Sequence, residues 1–153
     1  MASLRLGRRI GIDFGVARIG VAVSSVDAII CGPLATVPNN DDALTRVLGL
    51  IAEQEPIEVY VGLPLNLQGE HTQSTELAIT FAKLLSQSGV SNLRMVDERM
   101  STRAAQSQLH ASGKNSRQSK SVIDAAAATL IVESALSYER ATGNLPGIQI
   151  TEF

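Results

Sequence analysis

Residues 9–24 read Arg9-Ile10-Gly11-Ile12-Asp13-Phe14-Gly15-Val16-Ala17-Arg18-Ile19-Gly20-Val21-Ala22-Val23-Ser24. Ile10, Ile12 and Phe14 alternate with Gly11 and Asp13, and Ile19, Val21 and Val23 alternate with Gly20, Ala22 and Ser24. A period of two is that of a β-strand, so the stretch predicts two strands joined by a tight turn. Gly15 can take the positive φ that such a turn often needs. Asp13 is out of place, because a carboxylate in an apolar hairpin is costly to bury unless it is paired or binds something. It is either a turn aspartate accepting from nearby amides or a cation ligand, and the hairpin alone leaves both open.

Working outward, Ile29–Val37 reads as a third strand, with Pro33 marking an edge or a bulge. Asn40 or Asp41 can cap a helix whose Leu44, Val47, Leu48 and Ile51 form an amphipathic stripe. Ile57–Gly62 alternates as a fourth strand and runs into the loop Leu63–Gly69. A second helix is expected from Thr72 or Ser74 to Ser88, with Leu77, Phe81, Leu84 and Leu85 on one side and Gly89 as its stop. Leu93–Asp97 reads as a fifth strand, and Ser101 can cap a third helix ending near Gly113. Residues 113–121 are polar and basic, as expected of a mobile loop. A fourth helix is expected from Val122 to about Tyr138, with Ile123, Ala127, Leu130, Ile131 and Ser134 on one face. Hairpins come first and βαβ crossovers follow, which predicts an α/β fold with a mixed sheet and helices on both faces. Residues 1–153 are expected to form one domain, with about 144–153 a loosely held tail.

Hydrophobic residues make up 44% of the chain and aromatics only 3%, so the core must be built from Leu, Ile, Val and Ala. No apolar run reaches the roughly 18 residues that span a bilayer, and the N-terminal residues lack a secretory h-region. Cys31 is the only cysteine, which excludes an intrachain disulfide and makes a reducing cytoplasm the expected compartment. The net charge of −2 gives no global argument for nucleic acid. Its distribution is more telling: residues 94–120 hold Arg94, Arg99, Arg103, Lys114, Arg117 and Lys120 against Asp97 and Glu98, while residues 38–80 hold seven acids against Arg46 alone. Arg5, Arg8, Arg9 and Arg18 flank Asp13, so the two basic segments could form one face around the carboxylates.

Two further acids stand beside small or apolar residues. Glu98 follows the fifth strand in Asp97-Glu98-Arg99, and Asp124 precedes Ala125-Ala126-Ala127-Ala128 in what reads as the first turn of the last helix. Each has a plain explanation: Glu98 as a surface partner of Arg99 or Arg103, Asp124 as a complement to the helix dipole. Together with Asp13, on elements that would neighbour one another in a mixed sheet, they favour a hard-cation site for Mg²⁺ or Mn²⁺. His71 and His110 are weaker candidates, and no Gly-rich loop followed by Lys-Ser/Thr suggests an NTPase.

Asp13-Phe14-Gly15 with Arg18-Ile19-Gly20-Val21-Ala22, Gly62-Leu63-Pro64-Leu65-Asn66 with Gly69, Asp97-Glu98-Arg99 with Ser101-Thr102, and Ile123-Asp124-Ala125-Ala126-Ala127 closely resemble the YqgF/RuvX family. The resemblance runs in order along nearly the whole chain, with Leu67-Gln68 a small departure in the loop. It implies an RNase H-like fold with a five-stranded mixed sheet of order 3-2-1-4-5. It also implies a metal-dependent nuclease with Asp13, Glu98 and Asp124 as metal-holding catalytic carboxylates. The family is linked to maturation of the 5′ end of pre-16S ribosomal RNA and is also described as Holliday junction resolvases. Arg18, Asn66, Arg99, Arg103, Lys114, Arg117 and Lys120 are the candidates for holding nucleic acid. The expected substrate is structured RNA, above all the small-subunit rRNA precursor. The alternatives are branched DNA cut by a dimer, and a catalytically silent nucleic-acid-binding factor. No membrane partner is expected, and the chain should be a monomer or weak homodimer.

Overall fold

The computed structural model describes residues 4–99 and 116–153, with the side chains of residues 116–125 outside that description. Strands β1 (Arg9–Phe14), β2 (Arg18–Ser24) and β3 (Cys31–Pro38) lead to α1 (Ala43–Gln54), β4 (Glu58–Leu63), α2 (Gln73–Gln87) and β5 (Leu93–Asp97). Then come α3 (Ser116–Thr142), β6 (Ile148–Gln149) and a 3-10 turn, Ile150–Glu152. The expected helix 101–113 lies outside the described residues. The sheet order is β3-β2-β1-β4-β5-β6. The expected order 3-2-1-4-5 is thus present, extended by a sixth strand from the tail.

The tail that was expected to be loose is held. β6 pairs antiparallel with β5, Ile150 is buried, and Lys83 Nζ donates to the Phe153 carbonyl at 2.9 Å. Pro33 marks both an edge and a bulge: β3 is an edge strand, and its register against β2 slips between Val21 and Ala22. Gly15 does not take a positive φ. Glycine is required there because a Cβ would come within 2.5 Å of the Arg18 carbonyl oxygen. α1 is capped at Asp42 rather than Asn40 or Asp41. Asn40 instead accepts from the Asp42 amide. On α2, Leu77 and Leu84 are exposed, and Thr75, Ala78, Ile79, Phe81, Ala82 and Leu85 face inward.

Strand alternation sorts side chains onto two faces. Ile10, Ile12, Ile19, Val21, Val59, Val61 and Met95 join the core under α1 and α2. The opposite face carries Gly11, Asp13, Gly20, Ala22, Tyr60 and Gly62, and there α3 packs through Ala128, Ile131, Val132 and Ala135. On β1 and β2 that face is small, at Gly11, Gly20 and Ala22, and at Gly11 the helix backbone comes close. A Cβ on Gly11 would lie 2.5 Å from Val132 Cγ2 and 2.7 Å from the Ala128 carbonyl oxygen.

α3 begins at Ser116, not Val122, so residues 116–121 are helical rather than loop, and Asp124 lies well inside the helix instead of in its first turn. Dipole complementation therefore does not account for Asp124, because the effect fades within the first turn. At the other end of the helix, buried Arg9 bonds Glu139 at 3.1 Å, and Glu139 also takes Arg5 at 2.7 Å. Arg5 further pairs with Glu58 at 3.0 Å. These two arginines tie the start of β1 to α3 and stand at the opposite end of β1 from Asp13. They do not join a basic face around the carboxylates.

Candidate active site

β1 and β4 run parallel, with Ile12 level with Val61, and β4 and β5 run parallel, with Leu63 level with Asp97. The ends of the three strands therefore open on one edge of the sheet. Asp13 leaves β1 there, half-buried on the α3 face. The Glu98 amide donates to the Leu63 carbonyl at 3.1 Å, which turns the chain as it leaves β5. Its side chain folds back over β4, filling the space that a side chain on Gly62 would occupy. A Cβ there would lie 2.4 Å from Glu98 Oε1 and 2.6 Å from Cδ.

In that position the Glu98 carboxyl meets Asp13. Burial, the carboxyl–carboxyl hydrogen bond with Asp13, and the negative charges of Asp13 and Asp97 together push Glu98 up to about 10. Two carboxyls this close do not both ionise readily, so the pair holds one proton between them near neutral pH. Glu98 is thus not a surface partner of Arg99. Arg99 bonds Asp97 instead, through Nη2 to Oδ2 at 2.6 Å and Nε to both oxygens.

For Asp124 only the helix backbone is described. α3 runs antiparallel to β1, since Glu139 meets Arg9 and the turn from Ala128 to Val132 meets Gly11. From Gly11 to Asp13 the strand advances about 6.6 Å, which matches between four and five helix residues at ~1.5 Å each. Counting that far back from the Ala128–Val132 turn reaches residues 123–128, a span that includes Asp124. Among the described residues, no group of three His, Cys, Asp or Glu is placed to hold a metal ion.

The other candidates are dispersed. Arg18 opens β2 beside the Asp13 edge and is half-buried. Asn66 accepts from the amides of Gln68 at 3.0 Å and Glu70 at 2.9 Å, so its side chain shapes its own loop. Arg117 and Lys120 lie on the first turns of α3, while Arg103 and Lys114 lie outside the described residues. His71 sits at the helix entrance with Nδ1 3.1 Å from Glu76. Gly62 stands in the sequence only as the first residue of a family motif, not as a site candidate. Its signal was present: a glycine closing a buried strand, in phase with Tyr60 on the face that carries Asp13.

Gly62→Ala is expected to lower any cleavage by this site at least about tenfold, because it displaces a carboxylate without removing one. The melting temperature should move far less than the activity, since the colliding Cγ, Cδ and Oε1 atoms all belong to the Glu98 side chain and none to the backbone. Activity and melting measured on one preparation check both halves.

A mixed sheet of this order, with α3 covering the face where the carboxyls meet, defines an RNase H-like fold. Two solved structures of Thermus thermophilus RuvC share it. The one in complex with a Holliday junction substrate aligns at TM-score 0.55 and 17% identity, covering 89% of this chain and 97% of that one. The other aligns at TM-score 0.54 and 17% identity, covering 91% and 98%. The sequence model of RuvX, described as Holliday junction resolvase, matches residues 7–138, and the chain belongs to this family. Relatives bearing the name "Putative pre-16S rRNA nuclease" agree. One from Leifsonia xyli subsp. xyli (strain CTCB07) is 44% identical over 146 residues, covering 94% of each chain. Another, from Streptomyces coelicolor (strain ATCC BAA-471 / A3(2) / M145), is 45% identical over 148 residues, covering 94% of this chain and 88% of the relative.

Proposed function

We propose that this protein is a metal-dependent nuclease that processes the 5′ end of precursor 16S rRNA in the cytoplasm. The observation that carries the reading is the Asp13–Glu98 contact at the strand ends, in a member of this family. Oxygen donors suit a hard divalent cation, and Gly62 leaves room for the Glu98 carboxylate. Asp13, Glu98 and, from α3, Asp124 would hold Mg²⁺ or Mn²⁺. A divalent cation held there supplies a nucleophilic water at neutral pH and offsets charge on the leaving oxygen. The chain's own part is to gather the carboxylates, to release the proton that Asp13 and Glu98 share, and to hold the phosphates. Arg18, Arg99, Arg103, Lys114, Arg117 and Lys120 are the residues for the last task.

The family description favours a second reading, branched-DNA resolution, which would need a dimer to cut two strands symmetrically. Purified protein incubated with RNA spanning the precursor–mature 5′ junction, and in parallel with a four-way DNA junction, separates the two. Cleavage of the RNA at the mature end, present with Mg²⁺ or Mn²⁺ and absent with EDTA, is the expected result. Preferential cutting of the four-way junction would establish the second reading. Cleavage of neither would leave a binding factor on the same fold.

A further inference from the structure

Arg99 is held in one orientation by Asp97 and by the loop after β4. Its amide donates to Asp97 Oδ1 at 3.0 Å. Its Nε lies 3.1 and 3.0 Å from the two Asp97 oxygens, and Nη2 lies 2.6 Å from Oδ2. Beneath it is Gly69, whose positive φ of +78° suits glycine and where a Cβ would come within 3.4 Å of Nη1. The guanidinium is thus pinned along one edge by a carboxylate and floored by the loop after β4. Its Nη1 hydrogens and one Nη2 hydrogen have no acceptor among the described residues. An Asp–Arg pair this exposed adds little to stability, so stability does not explain the arrangement. What it achieves is preorganisation: a long side chain that would lose rotamer freedom on meeting an anion has already lost it. The pinned end lies next in sequence to Glu98, at the sheet edge where the Asp13–Glu98 pair meets.

We propose that Asp97 is a positioning residue, which aims the Arg99 guanidinium at a backbone phosphate of the substrate nucleic acid beside the Asp13–Glu98 pair. The inference rests on the nucleic-acid reading of this site, but not on cleavage. It makes a prediction opposite in sign to simple electrostatics. Removing an acidic charge from a nucleic-acid-binding surface should by charge alone strengthen binding. If Asp97 positions Arg99, removing that charge weakens binding instead.

The test measures binding of a fluorescent RNA spanning the precursor–mature 5′ junction, in EDTA so that no cleavage intrudes, over a series of KCl concentrations. Wild type, Asp97→Asn, Arg99→Gln and the double variant are compared. Arg99→Gln is expected to weaken binding about five- to tenfold and to flatten the log–log salt slope by roughly 0.7. Asp97→Asn should weaken it about threefold, and the double variant should be no weaker than Arg99→Gln alone, the non-additivity of groups that act as one. In cleavage assays the Asp97→Asn loss should fall on KM more than on kcat. Melting temperatures should agree across the set, which sets aside misfolding. Tighter or unchanged binding by Asp97→Asn overturns the proposal, as does full additivity in the double variant. So does RNA binding that is indifferent to Arg99. Because these are binding measurements, a protein that binds as described but never cleaves would sink the nuclease reading and leave this inference standing. Cleavage with an inert Asp97 would do the reverse.

Discussion

Asp13→Asn is expected to cut cleavage by more than about a hundredfold, beyond what the loss of a supporting group costs a metal site. The substitution keeps the side chain's size and removes its charge. On the nuclease reading it takes away a ligand oxygen and breaks the pair with Glu98. Binding of the RNA should survive or tighten, since the basic residues remain and one negative charge near the phosphate is gone. The fold should survive as well, because an amide beside Glu98 accepts or donates a hydrogen bond without repelling it. A turn aspartate whose only work is to accept from backbone amides predicts the reverse pattern: lower stability and unchanged activity per folded molecule. Cleavage rate, affinity and melting temperature on one preparation decide. Full activity in folded Asp13→Asn protein would reject Asp13 as a metal-holding residue.

The hairpin was readable because its alternation is strict and because each strand has one face of small residues. Ile10 and Ile12 against Gly11 and Asp13 give the pleat, and the structure uses both faces as that pattern implies. What the pattern does not carry is which small residues are small for the helix and which are small for a side chain. Gly11 admits α3, whereas Gly62 admits Glu98, and only the three-dimensional path separates them. Helix boundaries were less legible where composition is ambiguous. Residues 116–121 are polar and basic, but Ser, Arg, Gln and Lys have no strong aversion to a helix, and α3 runs through them. The pairing of the tail is illegible in sequence for a related reason. Two residues of β6 have no recognisable period, and their pairing with Arg94 and Met95 is set by the β5 edge rather than by their own sequence. The arginines near Asp13 in sequence divide by strand direction: Arg9 sits at the far end of β1, where Glu139 takes it.

Without divalent cation, stability is expected to fall as pH rises from about 6 to about 8.5, and Glu98→Gln should remove that fall. The sign follows from Glu98, pushed from its ordinary 4.5 up to about 10 in the folded protein by burial and by Asp13. Between those values the unfolded chain has given up a proton that the folded one keeps. Unfolding then releases protons, and raising the pH favours it, by at most about 1.4 kcal/mol per pH unit for one group. The contribution is whole below the ordinary value and is lost as pH climbs through the raised one. Partial exposure of the pair screens it, so a total near 2 kcal/mol by pH 8.5, or roughly 4–8 °C in melting temperature, is the scale expected. Asp97 and Glu139, held below the usual carboxylate range chiefly by hydrogen bonds from Arg99 and Arg5, act the other way, but only in acid. Their stability is present above the ordinary carboxylate value, so the window from 6 to 8.5 is clear of them. Glu98→Gln has no carboxyl proton to lose there and should melt at nearly one temperature across the window, above wild type at its alkaline end. Adding Mg²⁺ or Mn²⁺ should raise the wild-type melting temperature through linkage, more at pH 8.5 than at pH 6, since the shared proton must leave first. It should raise that of Glu98→Gln much less. A wild-type melting temperature that is flat in EDTA would mean that Asp13 and Glu98 do not hold a proton between them. The electrostatic case for a cation at this edge of the sheet would then be lost.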